Sequence, residues 1–568
     1  MKQRLPPEVA AAFATACDAW RGRDGTRRLF ARDATLWTGG AEAAWLGWLD
    51  APSAALAGLD AYGEIAADGR LFRHALVLGM GGSSLAPEVQ RAALGAIDGH
   101  AEIVVLDSIH PDQVAACEAA LDLASTLVVV ASKSGSTLEP NLLLAHFEAR
   151  LAAAVGAHEA PRRIVAITDP GSALERQARS RGYRRVVLGE PTIGGRFSAL
   201  SPFGLVPAAL QGIALDGWLG LAATMAERCR DDDPHENPGV ALGLLLGAAA
   251  RAGRDKLTLC LHPRLALLGA WLEQLVAEST GKLGRGVLPF AGESLVAPEL
   301  YGDDRLFVAV RLAGELAEED DARLDALAAA GHPVLEIDVD EPVALGAELY
   351  RWEIATAVAG AELGVDPFDQ PDVEAAKVAA RALVEAIEST GELPAEAPFF
   401  EDDELAIYAP EQQHRLMLAG TGDEPQAVDV LHAHLARLVP GDYFALLAFC
   451  PMTETTIEAA ARLRAAVQTG NRVATSVGFG PRYLHSTGQA HKGGPPSGLF
   501  LVVSDSPSQD LPVPGQALRF GQAIAAQARG DFTVLAERGQ RVLRVELKGP
   551  ADELLPKLAD EIELAAGD

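Results

Sequence analysis

Ala75-Leu76-Val77-Leu78-Gly79-Met80-Gly81-Gly82-Ser83-Ser84 joins an apolar, strand-like run to a loop of glycine and serine. The same order returns at Thr126 to Ala131 (TLVVVA), which is followed by Ser132-Lys133-Ser134-Gly135-Ser136-Thr137. Each loop puts small residues and hydroxyls where a strand ends and a helix begins. Free backbone N–H groups and the positive end of the helix dipole converge there, which suits an anion. Two such loops in one α/β unit point to a single phosphate held between them, and so to a phosphorylated small molecule.

Outward from these loops, strand-like segments at 74–79, 102–107, 126–131, 163–168 and 185–188 alternate with helical ones such as Glu139 to Ala154. That alternation predicts a parallel sheet with helices on both faces and ligands at the carboxyl ends of the strands. Residues 1–70 read as helical and Ala-rich, with Trp37, Trp45 and Trp48 as packing anchors. A second unit follows the break at Asp231-Asp232-Asp233-Pro234, with strands at 256–261, 305–312 and 333–339 and helices at 238–252, 265–279, 343–363 and 371–389. The acidic, Pro-containing stretch Gly391 to Asp403 reads as a linker. A third α/β unit fills the rest, with strands expected at 443–449, 471–477, 498–504, 532–536 and 541–547. The expected domains are a helical segment 1–70 and α/β units 71–230, 231–395 and 404–568, in keeping with the about three or four that 568 residues allow.

A hydrophobic fraction of 49 % is ample for large cores. No apolar run is long enough to span a membrane, and Met1 to Pro7 lacks the apolar stretch of a signal peptide. The five cysteines are scattered without a CxxC pair, as reduced thiols rather than a disulfide framework or a zinc site would be. These features predict a soluble cytoplasmic protein without metal or cofactor. A formal charge of −30 argues against nucleic acid, and it requires any phosphate site to be locally positive.

Other residues gain meaning only in combination. Four hydroxyls in Ser132 to Thr137 exceed what a helix cap needs, and Lys133 adds charge. Arg196, after Gly194-Gly195, can stabilise an oxyanion or hold phosphate, although alone it reads as a surface arginine. Gln274 and Glu278 share one helix face near its Thr280-Gly281 end, where a carboxylate can act as general base; an isolated glutamate is more often solvated. Lys377 alone reads as an exposed helix lysine. His485 and His491 share a Gly-rich loop that lacks a third metal ligand, so acid/base or polar binding duty suits them better. His432 and His434 read as structural.

Five blocks in order, GMGGSSLAPE, SKSGSTLEPN, GGRFSALSPFG, QLVAESTGK and PFDQPDVEAAK, resemble the glucose-6-phosphate isomerase (phosphoglucose isomerase) family, which is built from sugar-isomerase domains. The layout looks most like the isomerase half of bacterial transaldolase–isomerase fusions. The resemblance implies αβα sandwiches with parallel sheets, two core domains and a C-terminal α/β domain. It also implies cofactor-free interconversion of glucose 6-phosphate and fructose 6-phosphate through a cis-enediol. Gly82, Ser83, Ser132, Lys133, Ser134 and Thr137 would hold the phosphate; Gln274 and Gln370 would line the pocket. Glu278 would shuttle the proton, Arg196 would stabilise the enediolate, and Lys377 would assist ring opening. One departure stands out. The family's LHSxGQ block is missing near Ala297 to Phe307, and a close copy, Leu484 to Gln489, lies far downstream, so the third domain is expected to deliver His485. Family members often dimerise and donate a histidine across the interface, which leaves action in cis or in trans open. The fusion likeness implies association with a transaldolase activity, though this chain has no room for that enzyme's barrel. A dual phosphoglucose/phosphomannose isomerase and a non-catalytic sugar-phosphate sensor are the rival readings.

Overall fold

The computed structural model describes residues 1–316, 318–417 and 425–567. Contacts divide the chain into two units. The first comprises Met1–Asp107, Glu118–Gly292 and Arg305–Asp369, the second Ser108–Cys117, Glu293–Asp304 and Gln370–Asp568. The helix Pro371–Thr390, expected with the second domain, thus groups with the C-terminal sheet.

Unit one holds two five-stranded sheets. In one, Glu102–Leu106, His74–Leu78, Thr126–Ala131, Ile164–Thr168 and Arg185–Leu188 lie side by side in that order, all parallel. Every residue of Thr126–Ala131 is buried, which a strand covered by helices on both faces requires and which its unbroken apolar run satisfies. The other sheet runs Lys2–Arg4, Val334–Val339, Arg305–Leu312, Lys256–Leu261 and Leu288–Ala291. It is parallel except for Lys2–Arg4, a strand within a segment expected to be helical. The helix Leu345–Leu363 is buried along nearly its whole length, so its Ala, Val, Leu and Trp residues face neighbours on all sides.

Unit two is built on a six-stranded sheet in the order Phe400–Glu401, Leu405–Tyr408, Arg541–Leu547, Gly498–Ser504, Tyr443–Phe449, Ala474–Phe479. Its last four strands are parallel, and the first two are antiparallel additions. Residues 391–403 are therefore more than a linker. Phe400–Glu401 joins the sheet, and Glu396 pairs with Arg529 at 3.0 Å and Arg544 at 2.5 Å. The strand expected at 532–536 is instead the last part of the helix Phe520–Glu537, whose buried Phe520, Ala523, Ile524, Gln527, Asp531, Val534 and Leu535 recur at helical spacing. Among the described residues no helix is long and apolar enough to cross a membrane.

Candidate active-site residues

Both Ser/Gly loops lie at carboxyl ends of neighbouring parallel strands, His74–Leu78 and Thr126–Ala131, and both lead into helices, Gly82–Leu94 and Leu138–Val155. In the first, a Cβ on Gly82 would stand 1.8 Å from the Gly195 carbonyl oxygen, so this position brings the loop against the backbone just before Arg196. Ser83 is buried there, and Ser84 Oγ donates to Asp107 Oδ2 at 2.9 Å. Gly82→Ala is expected to cost about 1–3 kcal/mol by forcing two backbones apart. Gly63→Ala, at an exposed position of the helix Leu59–Gly69 with nothing near the added methyl, should gain about 0.5–1 kcal/mol. Paired urea melts showing equal effects would contradict this.

In the second loop the hydroxyls bond one another instead of capping. Ser132 Oγ accepts from Gly135 N at 3.2 Å and lies 3.4 Å from Thr137 Oγ1, and Ser134 and Ser136 Oγ are 2.8 Å apart. Thr137 stands at the N-cap with no side-chain capping bond. Gly135 has φ +68°, and a Cβ there would meet Leu174 N at 2.5 Å. Lys133 Nζ pairs with Asp169 at 2.9 Å and reaches the Glu190 carbonyl at 3.3 Å, so its charge is already partnered by a carboxylate.

Arg196 continues from the turn that touches Gly82, and it is buried. Its Nε donates to Ser279 Oγ at 2.8 Å, one terminal nitrogen pairs with Glu278 Oε1 at 3.0 Å, and the other donates to the carbonyls of Pro367 at 2.6 Å and Asp369 at 2.9 Å. Gln274 Nε2 donates to Glu278 Oε2 at 3.2 Å. One π-helical turn, Glu273–Ala277, immediately precedes Glu278; such turns often occur at functional sites. Unit one therefore gathers Arg196, Gln274 and Glu278 into one hydrogen-bonded cluster.

Lys282, part of the same QLVAESTGK block, is a residue that sequence reasoning misses. It is buried, donates to the carbonyls of Asp366 and of Asp369 (2.6 Å), and pairs with Asp369 Oδ1 at 2.7 Å. Burial, and then the Arg196 guanidinium, pull its pKa down to about 8 against the opposing pull of Asp369 and Asp366.

Unit two carries the remaining candidates. Gln370 is the N-cap of Pro371–Thr390, and Lys377, half-buried in that helix, pairs with Glu374 at 2.9 Å. His485 ends a short turn, Arg482–His485, and is half-buried. That turn is anchored by Tyr483, whose hydroxyl donates to Asp531 Oδ2 at 2.7 Å, while Lys492 pairs with Asp531 at 2.5 Å. Gln489 links the loop to the start of the Lys377 helix: its Oε1 accepts from Asp372 N at 2.9 Å and its Nε2 donates to Asp372 Oδ2 at 2.5 Å. His491 is different. Fully buried against Tyr443 and Phe500, with the Tyr443 hydroxyl 3.0 Å from Nδ1, it has its pKa pushed down to about 3 by burial. Its proton affinity is too low for acid/base work near neutrality. His434 is likewise buried, with Nε2 at 3.1 Å from the Phe500 carbonyl.

A family model for phosphoglucose isomerase matches residues 62–286, which include both loops, Arg196, Gln274, Glu278 and Lys282. The glucose-6-phosphate isomerase of Synechococcus sp. (strain JA-3-3Ab) is 39 % identical over 221 residues, covering 38 % of this chain and 41 % of that protein. The chain thus spans about two fifths of that relative's length. A crystal structure of the hypothetical protein TT0462 from Thermus thermophilus superposes with a TM-score of 0.59 at 28 % identity, covering 67 % of this chain and 100 % of that one. The glucose-6-phosphate isomerase of Geobacter sp. (strain M21) is 31 % identical over 418 residues, 65 % of this chain and 78 % of that protein. With its motifs in order, its buried Arg196–Glu278 cluster and a match across most of the Geobacter enzyme, the chain belongs to the glucose-6-phosphate isomerase family.

Proposed function

We propose that the chain interconverts glucose 6-phosphate and fructose 6-phosphate. The observation that carries this is the Glu278 carboxylate held between Arg196 and Gln274 in one buried cluster of the sheet unit that also bears the two hydroxyl-rich loops. A sugar-phosphate sensor needs the loops but has no use for a positioned base.

In this reading the loop amides with Gly82, Ser83, Ser132, Ser134 and Thr137 bind the phosphate, and Lys133 adds a positive charge to the same loop once the phosphate competes with Asp169 for its ammonium. Glu278 removes the C2 proton of the open-chain aldose. The C2–H electron pair forms the C1=C2 bond as the C1 carbonyl oxygen takes up negative charge. The hydroxyl proton passes from O2 to O1, and Glu278 returns its proton to C1 to give the ketose. Arg196 offsets the charge on the oxygens, and fixed dipoles of this kind supply much of the rate in such reactions. His485 and Lys377 open the sugar ring, and Gln370 lines the pocket. The reading includes a cytoplasmic location, a homodimer, which light scattering tests, and association with a transaldolase activity, which co-purification tests.

The deciding assay is glucose 6-phosphate formation from fructose 6-phosphate by the purified chain. Turnover is expected; binding of the sugar phosphate without turnover would favour the sensor, and equal rates with mannose 6-phosphate the dual isomerase. His485→Ala is expected to slow turnover of the cyclic substrate by about 10²-fold or more. An unchanged rate would remove His485 from the mechanism.

A further inference from the structure

The Asp366–Asp369 turn stands between two buried cations. Arg196 donates to the Pro367 and Asp369 carbonyls, and Lys282 donates to those of Asp366 and Asp369, so both cations share one acceptor. Phe368 N donates to Asp366 Oδ1 at 2.8 Å, which stiffens the turn from within. On its other side the same guanidinium holds Ser279 and Glu278. A displacement of the turn would therefore be transmitted through Arg196 to the carboxylate.

We propose that Lys282 is a positioning residue for the isomerisation: by fixing the Asp366–Asp369 turn it sets where Arg196 holds Glu278. This inference rests on the isomerase reading above. Lys282 itself reaches no reacting atom, because its ammonium is spent on two carbonyls and the Asp369 carboxylate. The charged groups facing it are Arg196, Asp369 and Asp366, with Glu42 acting on Asp366; Arg285, on its own turn, is directed to the Leu363 carbonyl at 2.8 Å. Since burial draws Lys282 down to about 8, it is charged near neutrality and gives up its proton under mildly alkaline conditions. The neutral amine keeps two of its three N–H groups and loses its attraction to the Asp369 carboxylate. The hold on the turn then weakens.

The test is kcat and KM against pH for the parent chain, Lys282→Met and Lys282→Arg, each checked for folding by thermal melting, with a crystal structure of Lys282→Met. For Lys282→Met, kcat is expected to fall about 10- to 100-fold with KM within about threefold, since misplaced groups cost transition-state stabilisation more than binding. In the parent, kcat should decline above about pH 8. In Lys282→Arg, which stays charged, that decline should move up by about one pH unit or more. In the crystal structure the Arg196 contacts to Pro367 and Asp369 should open beyond about 3.5 Å. An unchanged kcat in Lys282→Met, or an alkaline limb shared by parent and Lys282→Arg, would overturn the proposal. Should the parent lack turnover, the isomerase reading fails by itself. The crystal structure still judges Lys282, and an unmoved Arg196 would count against it.

Discussion

Glu278→Gln is expected to lower kcat by about 10³- to 10⁴-fold while the chain still binds fructose 6-phosphate within about threefold of the parent. The substitution keeps the shape of the side chain and removes its proton chemistry together with its charge. A glutamine at 278 is isosteric, and its carbonyl oxygen can keep the bond now made by Arg196 at 3.0 Å. Its new NH₂ would face Gln274 Nε2, two donors opposed; rotating the Gln274 amide end for end restores a donor–acceptor pair. The hydrogen bonds should therefore persist, while the buried Arg196 loses its counter-charge and the fold loses stability, which a urea melt of the variant measures. A loss of 10³-fold corresponds to about 4 kcal/mol of transition-state stabilisation, far more than one neutral hydrogen bond provides, so packing alone could not account for it. Exchange of the C2 hydrogen of glucose 6-phosphate with deuterated solvent should vanish in step with turnover. Retention of exchange with loss of isomerisation would mean that another group abstracts the proton. Glu278→Asp keeps the carboxylate but retracts it by one methylene, and a drop of about 10²-fold is expected from misplacement alone.

The parts of this molecule legible in its sequence are those where local pattern and long-range packing agree. The runs at 75–78 and 127–131 are apolar throughout because they lie inside a parallel sheet covered on both faces, and each leads directly into a loop of small residues. Where the two levels disagree, the longer period prevails. Asp531 to Leu535 (DFTVL) has local strand character, but it ends a helix of 18 residues whose buried face starts at Phe520. Leu405–Tyr408 escapes a reading of the sequence because it is short and pairs antiparallel beside an otherwise parallel group. The site divides in the same way. Gln274 and Glu278 are four apart on one helix, so their contact follows from spacing, whereas the π-helical turn before Glu278 leaves no mark in residue types. Lys133 reads by its charge as a phosphate ligand, yet Asp169, at the end of a neighbouring strand, is its partner here. Lys282 is missed because its partners, Asp366 and Asp369, lie more than eighty residues along the chain. Partners brought together only by tertiary folding leave no signal at either end of the pair.

Arg196 and Glu278 offer the second large effect, one that stability measurements can resolve without substrate. Arg196→Met removes the cation from a carboxylate that is itself nearly buried, and breaking such a pair from one side costs about 3–5 kcal/mol. It also leaves the Pro367 and Asp369 carbonyls without the guanidinium, and catalysis should fall about 10²- to 10³-fold. Arg196→Lys should be milder on stability. An ammonium can stay beside Glu278, but it cannot reach Ser279, Glu278 and both carbonyls at once, since only the guanidinium fork presents donors in three directions. The decisive comparison is Arg196→Met in the Glu278→Gln background. There no charge remains to be stranded, so the arginine should cost about 2–3 kcal/mol less to remove than in the parent, a coupling at the upper end for contacting residues. Urea unfolding of the four proteins measures it directly. Additivity within about 0.5 kcal/mol would mean that the ion pair contributes little and that Arg196 is kept by its hold on the Asp366–Asp369 turn. In that case Lys282 and Arg196 should couple to each other more strongly than either does to Glu278, which the same cycle built on Lys282→Met would reveal.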